Sequence, residues 1–345
     1  AFLASFGWWQ LGFDRPGADM HKTTLQEQFI RDQVRYGATG ELSTILNRLS
    51  LAGRMIASEI MRAGFVGRLG YTGEKNVQGE EVRALDVIGN SIVNQVFERM
   101  DLVSCLASEE MDDIHYFSDH RHGKYVILHD PIDGSGNVDI NGSMGTIFSI
   151  HQRRSSGARA ELSDFLRKGS EQIAAGYIFY GPSTMFVYSS GGPVHGFTLD
   201  RSIGTFFLTH PDMSFPAGVG SYAVNEANQS KWDDKTRDAV RRFREGETRC
   251  GKRSSRYVGA LVADFHRTLV QGGIYMYPGE VARPEGKLRL LYECSPLGFV
   301  AKHAGGHASD GVGDILDKEP EELHQRSPLF IGAKDDVTEV LELLG

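Results

Sequence analysis

The hydrophobic period of this chain changes near Leu102, and that change restricts the folds open to it. Before it, apolar residues recur at helical spacing. Thr24 reads as the N-cap of a helix through about Tyr36, with Leu25, Phe29 and Ile30 on one face. A second helix follows Gly40, with Leu42, Ile45, Leu49, Ile56 and Ile60 as its stripe and Gly64 at its end. A third is expected from about Glu80 to Met100, with Val82, Leu85, Ile88, Ile92 and Val96 apolar. After it come LVSCLAS, YVILHD, GTIFSIH, IAAGYIFYG, TMFVYSS, HGFTLD and GTFFLTH, β-branched and aromatic runs separated by turn residues. Beyond His210–Gly220, which reads as a link between domains, helices are expected near Asp233–Glu245, Gly259–Gln271, Ser295–His303 and Asp335–Leu344. Strands are expected at Ile274–Tyr277 and Leu329–Ile331. Helices, then strands, then a mixture predict a layered α/β or α+β fold. With 345 residues, two domains are expected.

Acids number 45 and bases 37, for a net charge of −8, which argues against a nucleic-acid or anionic-membrane partner. No apolar run approaches the ~18 residues that span a bilayer. Cys105, Cys250 and Cys294 form no CxxC pair, so neither a disulfide framework nor a thiolate zinc site is expected, and a reducing compartment fits. The apolar start AFLASFGWWQLGF lacks a basic region and runs into Asp14 and Arg15, which reads against a signal peptide.

Within this frame the acids gather at strand ends. Asp130-Pro131-Ile132-Asp133-Gly134-Ser135-Gly136 follows the apolar run Tyr125–Leu128. Two aspartates at the end of a buried strand are costly unless a cation satisfies them. The glycines permit a tight turn whose N–H groups cradle a phosphate oxygen, so one stretch offers oxygen ligands for a hard cation and donors for an anion. The same residues also read as an Asx-type turn that caps a strand. Further acids add weight to the first reading. Ser108-Glu109-Glu110 ends LVSCLAS, Glu293 follows the apolar run LRLLY, and Asp86 and Glu80 lie in and at the start of the third helix.

Longer stretches around these acids resemble the class I fructose-1,6-bisphosphatases. They are YVILHDPIDGSGNVDINGSMGTIFSI, SEE at 108–110, LRLLYECSPLGFVAKHAGG, ATGELSTIL, NVQGE, AAGYIFYGPSTMFVY, SRYVGALVADFHRTLVQGGIYMYP and HQRSPLFIG, in the family's order from about Thr23 to the C-terminus. The resemblance implies a sugar-phosphatase fold of alternating helix and sheet layers. It implies a regulatory-type domain over 23–212, a substrate domain over 213–345, and a segment 1–22 of unknown role. The implied reaction is hydrolysis of the 1-phosphate of fructose 1,6-bisphosphate, in gluconeogenic or Calvin-type metabolism. Two or three Mg²⁺, or Mn²⁺, would be held by Glu109, Glu110, Asp130, the Ile132 carbonyl, Asp133 and Glu293. Asp86 with Glu110 would activate water, with Glu80 beside them. Asp133, Gly134, Ser135 and Arg289 would meet the reacting phosphate. Asn225, Tyr257, Tyr277 and Lys287 match sugar and 6-phosphate positions, and Arg256 matches an arginine that reaches a neighbouring subunit's site, so a homo-oligomer, typically a tetramer, is implied. AMP inhibition is implied at Thr39, Gly40, Glu41, Leu42, Ser43, Lys124 and Tyr125, and Gly64–Gly79 corresponds to a mobile loop. A cytoplasmic location is expected, with an organellar one left open by residues 1–22.

The chain departs from the family at Gly136, where a second serine is usual, at Glu80 for aspartate, and at Asn228 for a tyrosine of animal members. Near the arginine expected for AMP it has Gln152 and Arg153. The chloroplast type's cysteine loop is not evident. His115, His120, His122 and His129 lack a zinc-site pattern and read as ordinary loop and strand histidines. Two competing readings remain: a sedoheptulose-1,7-bisphosphatase or dual enzyme, and a catalytically silent AMP or sugar-phosphate sensor suggested by Gly136.

Overall fold

A computed structural model describes residues 22–36, 40–66, 70–75, 81–117, 122–218 and 220–345. The first layer is three helices, α1 (Leu25–Tyr36), α2 (Glu41–Arg62) and α3 (Ala84–Phe97). Thr24 and Glu27 form a reciprocal cap on α1: Thr24 N donates to Glu27 Oε2 at 2.7 Å, and Glu27 N donates to Thr24 Oγ1 at 3.2 Å. Two expectations are corrected here. The third helix starts at Ala84, because Glu81–Arg83 is strand β2 and pairs antiparallel with β1 (Tyr71–Lys75). That pairing also places a strand inside the stretch read as a loop.

The change of period marks the start of an eight-stranded sheet. Its strands are β3 (Val103–Ser108), β4 (His115–Tyr116), β5 (Tyr125–Asp133), β6 (Met144–Gln152), β7 (Ala174–Tyr180), β8 (Thr184–Ser189), β9 (Val194–Asp200) and β10 (Thr205–Met213). Their spatial order is β10-β9-β8-β7-β6-β5-β3-β4, antiparallel throughout except for the parallel pair β3–β5. Because β10 runs through Met213, the first part of the expected link His210–Gly220 is strand.

The second half builds a five-stranded sheet of β11 (Ser221–Ala223), β12 (Ser254–Ser255), β13 (Gly273–Tyr277), β15 (Gly306–Ser309) and β17 (Leu329–Ala333), with β14 (Leu288–Arg289) and β16 (Arg326–Ser327) paired separately. Its helices are α4 (Asp234–Glu245), α5 (Leu261–Gln271), α6 (Ser295–His303) and α7 (Lys334–Leu344). The run LRLLY, expected as a strand, is strand only at Leu288–Arg289. Leu290–Cys294 is a π-helical turn that leads into α6.

Side-chain alternation sorts these elements into five layers. Phe148, Ile178, Phe186 and Tyr188 face α1–α3 with Leu49, Ile56 and Val93. Their strand neighbours Ile147, Tyr177 and Val187 face the opposite way, onto Val262, Phe265, Leu297 and Val300 of α5 and α6. Tyr275, Leu329 and Ile331 close that second core from the five-stranded sheet. Their neighbours Ile274, Met276 and Phe330 pack with Val240, Phe243, Val337 and Val340 of α4 and α7. The order helix, sheet, helix, sheet, helix is the expected alternation of layers. Among the described residues no helix is long and apolar enough to cross a membrane.

Candidate active site

The parallel pair β3–β5 sets Ser108 opposite His129, so the residues beyond that pair on each chain segment emerge side by side at the carboxyl edge. Glu109 and Glu110 come from β3. Asp130 and Asp133 come from β5, but three residues apart in a regular strand they would face opposite sides of the sheet. A bulge resolves this. Asp130 pairs with Ile147 and Asp133 with Gly145, so β5 carries one extra residue against β6. Ile132 therefore turns into the core beside α3, and both aspartates reach one side.

Glu293 completes the group from the π-helical turn, whose wider winding re-aims side chains and recurs at functional sites. Arg289 N donates to Glu293 Oε2 at 2.5 Å. Carboxylate oxygens of Asp130, Asp133 and Glu293 all lie within 4.8 Å of one another. Asp130 and Glu293 are buried, at 3% and 5% exposure. Burial first, then the charges of Glu109, Asp133, Glu293 and Glu110, push the Asp130 carboxyl well above the usual range. Glu293 is raised by burial and by Glu109 and Asp133. Asp133 is pushed up to about 6 by burial, against stabilising N–H groups of Val262 and Leu261; Val262 N reaches its Oδ2 at 2.6 Å. Asp86, at the start of α3, is pushed up to about 7 by burial and then by Glu110, against Arg83 N–H and Ser135. Acids so close and so dry suit a hard divalent cation, and an all-oxygen donor set excludes a thiolate metal site here.

Asp130, Asp133 and Glu293 line a cavity of about 260 Å³, whose wall does not include Asp86. Its wall includes Glu109, Glu110, Asp130, Ile132, Asp133, Gly134, Ser135 and Glu293, together with Tyr257, Tyr277, Lys287 and Arg289. Gly134 takes a left-handed turn, φ 77°, and a Cβ there would lie 2.3 Å from the Ala260 Cβ, so only glycine fits. Arg289, 1% exposed, sits with its Nε 3.6 Å from Glu109 Oε1 and donates from Nη1 to Lys287 O.

The chain matches the family model "Fructose-1-6-bisphosphatase, N-terminal domain" over residues 23–211 and the corresponding C-terminal domain over 215–345. It belongs to the fructose-1,6-bisphosphatase family. It is 47% identical over 327 residues to the class 1 fructose-1,6-bisphosphatase of Trichormus variabilis, covering 93% of this chain and 92% of the relative. The class 1 enzyme of Nitratidesulfovibrio vulgaris is 48% identical over 331 residues, or 94% of this chain and 98% of that protein. Among solved structures, the holo form of Leishmania major fructose-1,6-bisphosphatase superposes with a TM-score of 0.87 at 36% identity, covering 94% of this chain and 99% of that one. Its T-state form gives 0.83 at 35% identity, with the same coverage.

Against the fructose-1,6-bisphosphatase pattern, the remaining expected residues fall in three places. Asn225, Arg256 and Tyr277 follow or end the mutually parallel strands β11, β12 and β13, at one edge of the smaller sheet. Of the three only Tyr277 lines the cavity. Asn225 Oδ1 accepts from Ala227 N at 3.2 Å, and Arg256 is exposed and donates to Ser255 O. At the start of α2, Gly40 is left-handed, and Glu41 receives hydrogen bonds from Lys124 Nζ and, at 3.0 Å, from Tyr125 OH. Leu42 packs on the first core, Ser43 is half-buried, and Glu80 and Thr39 lie outside the described residues. Of the histidines, His129 is buried in β5, His115 lies on β4, His122 is exposed, and His120 lies outside the described residues. Sequence reasoning missed Tyr275, Gly259, Leu261 and Leu288 of the cavity wall. Tyr275 was legible by period two from Tyr277, on which it stacks at 6.5 Å.

Proposed function

We propose that this chain hydrolyses fructose 1,6-bisphosphate to fructose 6-phosphate and phosphate as a metal-dependent phosphatase. The observation that carries this is one cavity lined both by clustered carboxylates and by Lys287, Arg289, Tyr257 and Tyr277, in a chain of this family. Such a cavity suits a ligand with one phosphate for metal chemistry and a second group for cationic and hydroxyl donors.

Glu109, Glu110, Asp130, the Ile132 carbonyl, Asp133 and Glu293 would hold two or three Mg²⁺, with Mn²⁺ as a substitute. Bound cations of this kind neutralise phosphate charge and acidify a coordinated water. Asp86, facing Glu110, takes the proton of the attacking water; a carboxyl near neutral pKa suits that role. N–H groups at Gly134 and Ser135 orient the reacting phosphate, and Arg289 offsets its charge. Tyr257, Tyr277 and Lys287 bind the sugar side, and Asn225 serves the distal phosphate. Arg256, exposed at the sheet edge, would reach a neighbouring copy's cavity in a tetramer. Glu80 would join the metal-bound water.

The same reading divides the chain into a regulatory-type domain (23–212) and a substrate domain (213–345), after a segment 1–22 of unknown role, in the cytoplasm. AMP would bind where Thr39–Ser43 meet Lys124 and Tyr125, and support for this is that Glu41, Lys124 and Tyr125 come together there. Phosphate release from fructose 1,6-bisphosphate, measured with and without Mg²⁺ and with AMP, tests the reading. No release at saturating metal refutes it.

A further inference from the structure

We infer that Asp264 is a positioning residue for the sugar-side wall, holding residues 256–259 in the shape that presents Tyr257 to the cavity. The inference rests on the reading of that wall as the binding surface for the sugar and its distal phosphate.

Asp264 sits in the first turn of α5 and is fully buried, at 0% exposure. It does not line the cavity; its oxygens face the chain that does. Val258 N donates to both, at 3.1 and 3.0 Å, and Gly259 N donates to Oδ2 at 3.2 Å. Gly259 is left-handed, φ +85°, so two successive N–H groups converge on one carboxylate. Arg267, one turn later on α5, donates from Nη1 to Asp264 Oδ1 at 3.0 Å and to the Arg256 carbonyl at 3.1 Å. One carboxylate and its guanidinium thus fasten both ends of Arg256-Tyr257-Val258-Gly259. A buried carboxylate demands this many donors, which makes the loop conformation stiff.

The other side of the same loop abuts the acidic turn. Ala260 packs against Gly134, and Val262 N binds Asp133. Tyr257 and Gly259 line the cavity between these two anchors. Loosening Asp264 therefore moves the sugar-side wall first, and binding of the distal group suffers before the reacting phosphate does.

The test compares kcat/KM for fructose 1,6-bisphosphate with that for fructose 1-phosphate, which lacks the distal phosphate, on the full chain at saturating Mg²⁺. Asp264→Asn is expected to lower the ratio about five-fold through KM for the bisphosphate, the size of one lost hydrogen bond. An unchanged ratio overturns the inference, whether or not both turnovers fall together. If Asp264→Asn does not fold, Arg267→Met is judged by the same ratio. Tyr257→Phe, measured beside them, tests the underlying reading. A parental ratio there removes Tyr257 from the distal wall, and a lowered ratio in Asp264→Asn then assigns the effect to the rest of the segment.

Discussion

Arg83 and Asp139 form an ion pair, Nη1 to Oδ2 at 2.5 Å, that ties the strand preceding α3 to the 3₁₀ turn following the Asp133–Gly134 bend. The two residues serve neighbouring parts of the site. Arg83 N donates to Asp86 Oδ2 at 3.2 Å, and the other oxygen of Asp139 accepts from Gly70 N at 3.1 Å. Asp139→Ala is therefore expected to lower kcat about ten-fold by releasing this brace from around Asp86 and Ser135, while circular dichroism stays unchanged. A parental kcat would show that the pair is only a surface contact.

Gly136 adjoins the same guanidinium. A Cβ there would meet only Arg83 Nη2, at 3.9 Å, and its φ is not in the left-handed region. Gly136→Ser should fold with stability within about 0.5 kcal/mol of the parent and keep or raise kcat/KM. A loss above about ten-fold would mean that the open space itself serves the reaction.

Glu293 is held close to Asp130 and Asp133 at a cost to folding. Glu293→Gln removes one repelling charge and keeps an acceptor for Arg289 N. The metal-free variant should melt higher than the metal-free parent, while kcat drops by about 100-fold or more. Thermal melts in chelator and a phosphate-release assay read the two effects together.

The acids also set a pH dependence. Asp133 and Asp86 have pKa values raised to about 6 and about 7, above their unfolded values. Their contribution to stability is full below about pH 4 and is lost as pH rises through 6 to 7. A divalent cation competes with those protons, so it binds better as pH rises. The increase in Tm on adding Mg²⁺ should thus be larger at pH 8 than at pH 6; equal increases would contradict it.

Away from the site, Arg253 and Asp336 form a buried ion pair in which Nη2 donates to both Oδ1 and Oδ2, at 2.6 and 2.9 Å, with side chains 3% and 1% exposed. It joins the approach to β12 to α7. Arg253→Met leaves Asp336 without its cation and should cost about 3–5 kcal/mol in urea unfolding. Adding Asp336→Leu should recover most of that loss, since the double variant buries no lone charge.

Much of the fold was legible because period is local. The stripe of Ile45, Leu49, Ile56 and Ile60 reads as α2, and the alternation of Ile147 and Phe148 reads as a strand between two cores. The carboxylates were legible as well, because acids at the ends of apolar runs are costly without a purpose. What misled was also local. LRLLY has a strand's composition, but Leu290, Leu291 and Tyr292 are divided between two cores, and a π-helical turn feeding α6 meets both.

By itself the sequence determined which residues are acids, where most of the helices and strands run, and which family the motifs resemble. Only the tertiary structure decided that the acids converge. Asp130 and Asp133 share a side because β5 gains a residue against β6, Glu293 joins them through the turn after β14, and Glu109 lies beside them because β3 and β5 run parallel. The first and last of these are strand pairings distant in sequence, and the turn that carries Glu293 is placed by the two cores it meets. A pairing depends on the partner strand's register, which no local run of residues records.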